Sequence, residues 1–142
     1  ARLSMEKNAQ TDLPVKPGIP ELLESLCGKG TECCVASSTE AEFVKKYIDA
    51  AGLGKYFGEI IGGDMVSRSK PAPDIFLKAL GNTDPNDAVV FEDSENGVRA
   101  GISAGIPVIC IPDMKRPPEE VLSKAYACVE SAFDAIKVTE VM

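Results

Sequence analysis

The sequence predicts an α/β fold of Rossmann-like type, three layers (αβα) built on a mainly parallel sheet. Three observations carry this. Short apolar runs rich in β-branched residues alternate with stretches of helical spacing. The best of these runs, Ala88-Val89-Val90-Phe91, is apolar at every position, as in a strand buried on both faces. Two runs stop abruptly at polar residues, Ser37-Ser38 and Glu92-Asp93. Right-handed crossovers put both stops on one edge of the sheet. In open α/β sheets the crevice at that edge is where ligands bind.

Taken in order, residues 1–10 are polar and fit the tail of a helix, and Leu13-Pro14-Val15-Lys16-Pro17-Gly18 is a turn-rich connector. Ile19, Leu22, Leu23 and Leu26 have helical spacing, and Gly28 and Gly30 stop that helix. Cys33-Cys34-Val35-Ala36 is a short buried strand. Ser38 or Thr39 is expected to cap the next helix, with Glu42 completing a capping box on Thr39. That helix carries Phe43, Val44, Tyr47 and Ile48 and ends near Gly52. Glu59-Ile60-Ile61 is a third apolar run before Gly62-Gly63, and residues 64–73 form a polar loop. Asp74 starts a helix holding Ile75, Leu77, Ala79 and Leu80, and its side chain can cap it. After the Asp84-Pro85-Asn86-Asp87 turn and the 88–92 strand, a helix runs from about Asn96 to Ala104. Pro107 to Ile111 is a strand, Pro117-Pro118-Glu119-Glu120 opens a short helix, Ala127-Cys128-Val129 is an edge strand, and residues 131–137 are a last helix.

The 142 residues suffice for one domain with its own core. A net charge of −7 argues against nucleic acid as a main partner, since phosphate contacts need clustered Lys and Arg. No apolar run reaches the length of a membrane helix, and no signal peptide is read at the start. Five cysteines without a C-x-x-C motif read as small core hydrophobes in a reducing, cytoplasmic setting. There is no His, which excludes Ser-His-Asp and Cys-His catalysis and His-ligated zinc within the chain.

Three stretches carry chemistry. Glu92-Asp93 places two acids at the end of a buried strand. One of Asp93 and Ser94 is enough to cap the next helix, so the pair points beyond capping, to Mg²⁺, which prefers a few carboxylate oxygens with water and phosphate. Lys70-Pro71-Ala72-Pro73 holds a point charge on a stiff loop, suited to a phosphoryl oxygen. Ser37-Ser38-Thr39 offers hydroxyls and backbone amides before a helix, an anion seat.

In that order and context the three resemble the haloacid dehalogenase superfamily, in its branch of β-phosphoglucomutase and small sugar-phosphate phosphatases. The resemblance runs from about Leu13 to the C-terminus and is most specific at Ser69-Lys70-Pro71-Ala72-Pro73-Asp74-Ile75-Phe76 and Phe91-Glu92-Asp93-Ser94-Glu95-Asn96-Gly97. It implies a core domain over residues 13–142, with residues 1–12 the end of a cap-domain helix. It makes Ser37 the second-motif hydroxyl, with Ser38 beside it at the phosphate, and Lys70 the third-motif lysine. Glu92 and Asp93 become the Mg²⁺-binding acids. The first motif of that superfamily is an Asp-x-Asp pair on the central strand, whose first Asp forms an aspartyl-phosphate. No Asp-x-Asp occurs in this chain.

The chain therefore reads as the partial core of a Mg²⁺-dependent phosphatase of a small phosphorylated metabolite, inactive alone. A gap of two strand spacings, roughly 10 Å, is expected between the strands ending at Ser37 and Asp93. A missing N-terminal segment or another chain would fill it. A phosphomutase is the alternative, but Glu40 stands where β-phosphoglucomutases carry a positive charge for the second phosphate. The other alternative is a non-catalytic Rossmann-like binding module. A receiver-like arrangement fits poorly, because its acids come early in the chain, and no G-x-G-x-x-G follows a strand.

Overall fold

A computed structural model describes residues 16–113 and 115–142. The expected cap remnant, residues 1–12, lies outside them. The described chain runs α1 (Ile19–Gly28), β1 (Cys33–Ala36), α2 (Ala41–Ala50), β2 (Phe57–Ile61), α3 (Asp74–Leu80) and β3 (Val90–Glu92). It continues with α4 (Glu95–Ser103), β4 (Val108–Cys110), α5 (Glu119–Leu122), β5 (Ala127–Cys128) and α6 (Ala132–Glu140). Every strand pairing is parallel.

Among the described residues the sheet is in two pieces, β1-β2 and β3-β4-β5. No described strand lies between β1 and β3. This is the division expected if the central strand is not part of the described chain.

The helices make one body of the two pieces. Alternation along each strand sends one set of residues to each face. On one face Val35 of β1 and Phe91 of β3 share a cluster with Leu22 and Leu23 of α1, Val44 and Ile48 of α2, and Ala135 of α6. On the other, Cys34 and Ala36 of β1 and Val90 of β3 pack with Ile75 and Phe76 of α3, Val98 of α4 and Val121 of α5. Each cluster spans both pieces, so the three layers are continuous where the hydrogen-bond ladder is not. A fully buried Leu or Ile contributes about 1.5–3 kcal/mol by leaving water, and Leu22, Leu23 and Ile48 are all fully buried.

Two close approaches set the geometry of the carboxyl edge. The loop after β2 lies against the loop after β1. A Cβ on Gly63 would fall 2.2 Å from the Ser38 carbonyl oxygen, and Gly63 N–H donates to Thr39 O at 2.9 Å. On the other side α4 lies close on the sheet through Gly97 and Gly101. A Cβ on Gly101 would fall 2.5 Å from Val108 Cγ2.

Capping departs from expectation at two helices. Neither Ser38 nor Thr39 caps α2. The N-cap position is Glu40, with no side-chain cap, and Ala41 N–H donates to Asp64 Oδ1 at 3.0 Å. The Ser37 hydroxyl instead takes the Thr39 N–H at 3.1 Å, a local turn that ends before the helix begins. Asp74 does not cap α3 but is its first residue, after Pro73. Its carboxylate receives a two-pronged bond from Arg68, at 3.2 and 2.8 Å, which takes up both oxygens. At α4 the structure selects Ser94, which accepts from Gly97 N–H at 3.1 Å and leaves Asp93 without a capping duty.

Candidate active site

The carboxyl ends of β1 and β3 deliver Ser37, Glu92 and Asp93 to one edge, and the loop after β2 brings Lys70 to it. Lys70 joins the two sheet pieces. Its Nζ donates to Glu92 Oε2 at 2.6 Å and to the carbonyl oxygen of Ala36, next to Ser37, at 3.3 Å. The same ammonium lies 4.9 Å from the centroid of the Phe76 ring. The side chains of Lys70 and Glu92 are 2% and 0% exposed. A buried charge must be paired to be tolerated, and these two charges satisfy each other in a place water does not reach. Ser37 is fully buried beside them, whereas Ser38 is exposed.

The two acids adjacent in sequence have different surroundings. Glu92 points inward to Lys70. Asp93 is 27% exposed and its Oδ2 lies 3.5 Å from Lys16 Nζ. Lys16 also lies 3.6 Å from Asp113, just beyond β4. This group opens into a cavity of about 310 Å³ between the starts of α1 and α6 and the ends of β3 and β4, lined by Lys16, Phe91, Glu92, Asp93, Asp113 and Ser131 among others. Ser37, Ser38 and Lys70 do not line it.

Of the expected residues, Lys70 and Glu92 are in direct contact, Ser37 is one residue from the carbonyl that holds Lys70, and Asp93 stands on the open side. Sequence reasoning missed Lys16 and Asp113. Asp113 follows a strand at the same edge as Asp93 does, so the rule that found Asp93 also points to it. Lys16 sits in the connector read only as a turn.

Hard carboxylate oxygens around a cavity suit Mg²⁺. The ammonium of Lys16 held between Asp93 and Asp113 shows that this edge accommodates positive charge. Among the described residues no three acid, Cys or His side chains converge closely enough to make a complete metal cage. An ion here would therefore complete its shell with water or with other groups. One row of the sheet, Glu92, Cys110 and Cys128, runs across adjacent strands. Burial, and next the neighbouring Cys128, pushes the Cys110 thiol up from 9.0 to about 12, so it stays protonated and unreactive.

Residues 2–111 match the family model described as haloacid dehalogenase-like hydrolase. A probable pseudouridine-5'-phosphatase of Drosophila melanogaster is 38% identical over 136 residues, covering 90% of this chain and 57% of that protein. A phosphorylated carbohydrates phosphatase of Thermotoga maritima is 40% identical over 96 residues, covering 66% of this chain and 44% of that protein. The crystal structure of CbbY from Rhodobacter sphaeroides in complex with xylulose-(1,5)bisphosphate superposes with a TM-score of 0.75 at 34% identity. That superposition covers 87% of this chain and 57% of the other. The chain thus spans about half the length of these relatives.

Proposed function

The chain belongs to the haloacid dehalogenase-like hydrolase family, and from that premise we propose that the protein it forms part of is a Mg²⁺-dependent phosphatase of a small phosphorylated metabolite, working in the cytoplasm. The observation that carries this reading is the buried Lys70–Glu92 pair beside Ser37. A lysine held by a buried carboxylate and a backbone carbonyl, on a loop stiffened by Pro71 and Pro73, is pre-organised for a phosphoryl oxygen. Phosphatase relatives support the reaction class.

In this reading the nucleophile is an Asp of an Asp-x-Asp strand that lies between β1 and β3 and that these 142 residues do not contain. It attacks phosphorus as the ester P–O bond breaks, the leaving oxygen takes a proton from the second Asp of that pair and departs as the alcohol, and water then hydrolyses the aspartyl-phosphate to inorganic phosphate and the free carboxylate. Ser37, its neighbour Ser38 and Lys70 hold the non-bridging oxygens, and Lys70 offsets their charge as it grows. Glu92 fixes Lys70. Asp93 would take Mg²⁺ directly, with Glu92 as the second acid behind it. When bound, the ion would supply positive charge that offsets the negative charge of the phosphate. Catalysis of this sort is positioning and electrostatics. Glu40, exposed at the start of α2, is unfavourable for a second phosphate and favours hydrolysis over phosphomutase chemistry.

The test is a phosphatase assay on a panel of sugar and nucleoside monophosphates. The full-length protein should release phosphate only with Mg²⁺, and the 142-residue chain alone should release none. Activity of the isolated chain would overturn the shared-site reading. Interconversion of glucose 1- and 6-phosphates by the full-length protein would replace the phosphatase with a mutase.

A further inference from the structure

Gly97 stands in the first turn of α4 with an ordinary helical backbone. It is not among the glycines of positive φ. Glycine is among the poorest helix formers, so neither backbone geometry nor helix propensity explains it here. Space does. A Cβ on Gly97 would fall 2.0 Å from Glu92 Oε1 and 2.2 Å from Glu92 Cδ. The Glu92 carboxylate therefore lies close against the helix at a residue without a side chain, and its other oxygen reaches Lys70 at 2.6 Å. The Gly97 N–H is held by Ser94 Oγ at 3.1 Å, which fixes the seat itself. Glu92 is buried, with Cys110 beside it on the next strand, and a shift of its carboxylate away from α4 would disturb the bond to Lys70.

We infer that Gly97 is a positioning residue: its missing side chain is the seat that aims Glu92 at Lys70, and so sets where the Lys70 ammonium stands. The catalytic arm of this inference rests on the phosphatase reading; the packing arm does not.

Gly101 supplies the control. It lies on the same helix, and a Cβ there meets Val108 Cγ2 at 2.5 Å, a comparable clash with an aliphatic group away from Lys70. In the full-length enzyme Gly97→Ala should lower kcat about 10- to 100-fold at unchanged KM, the scale of a small misplacement of a catalytic group. Gly101→Ala should lower the melting temperature as much and leave kcat intact. In a Lys70→Met, Glu92→Ala background no buried charge remains and the clash is gone. There the added Gly97→Ala should no longer lower the melting temperature, and should raise it, as alanine for glycine in a helix does. Retained kcat in Gly97→Ala, equal loss of kcat in Gly101→Ala, or an undiminished melting cost in the double background would each overturn the inference. Should the wild-type enzyme show no phosphatase activity, the functional reading falls, and the melting comparison decides the seat by itself.

Discussion

The carboxyl edge has two sides built from neighbouring residues, and they are made differently. On the buried side, Lys70 and Glu92 meet at 2.6 Å with almost no exposure. On the open side, Asp93 meets Lys16 at 3.5 Å at the mouth of a cavity. One side is short and closed to solvent; the other is longer and about a quarter exposed. A phosphoryl-transfer site needs both: a preset charge for the transferred group, and acids that can take up a cation. Glu92 is the last residue of β3 and Asp93 the first beyond it, and their side chains meet different partners, so a single dipeptide serves the two regions.

That contrast can be broken by mutation. The largest effect belongs to the buried side. Glu92→Ala removes the carboxylate that balances the buried Lys70 ammonium, and should cost about 3–5 kcal/mol of stability, read by urea unfolding of this chain. The open side should behave in reverse. Asp93→Asn should hardly move the unfolding midpoint, yet weaken Mg²⁺ binding by the full-length enzyme, raising the half-activating concentration about tenfold or more. If Asp93→Asn destabilises as much as Glu92→Ala, the two sides are not distinct.

Smaller is the effect of pH. The folded Cys110 thiol is pushed up from 9.0 to about 12. Between those values the unfolded chain releases a proton that the folded chain keeps. Stability is therefore full below about pH 9 and falls as pH rises towards 12, by at most ~1.4 kcal/mol per pH unit. Cys110→Ala should flatten that part of the slope; an unchanged slope would assign it to other groups. The smallest effect is at Arg68–Asp74, two residues before Lys70 in the same loop. Its bond is short, at 2.8 Å, but Arg68 is 71% exposed, so Arg68→Ala should scarcely change the melting temperature.

Much of this was legible in the sequence, for reasons that are local. Val89-Val90-Phe91 and Cys33-Cys34-Val35 are apolar throughout because those strands are covered on both faces. Leu22, Leu23 and Leu26 recur at helical spacing because α1 shows one face to the core. The rule that polar residues end buried strands singled out Ser37 and Asp93, and both stand just beyond a strand's carboxyl end. What the sequence hid depends on distant partners. The N-terminus of α2 is capped by Asp64, 23 residues downstream, while the nearer Ser38 and Thr39 are not used. Lys16 reaches Asp93 across 77 positions. Gly97 looks like a weak point at a helix start until the Glu92 carboxylate is seen against it.

Lys70 is where the two sheet pieces, the buried acid and the proposed phosphate position meet, and kcat of Lys70→Ala in the full-length enzyme tests that most directly. A fall of ~10²-fold or more, with Mg²⁺ saturating and the protein shown folded by circular dichroism, is expected if Lys70 carries the charge of the transferred group. An unchanged kcat would mean that Lys70 only ties β1 to Glu92, and that phosphoryl transfer is not what this edge is built for.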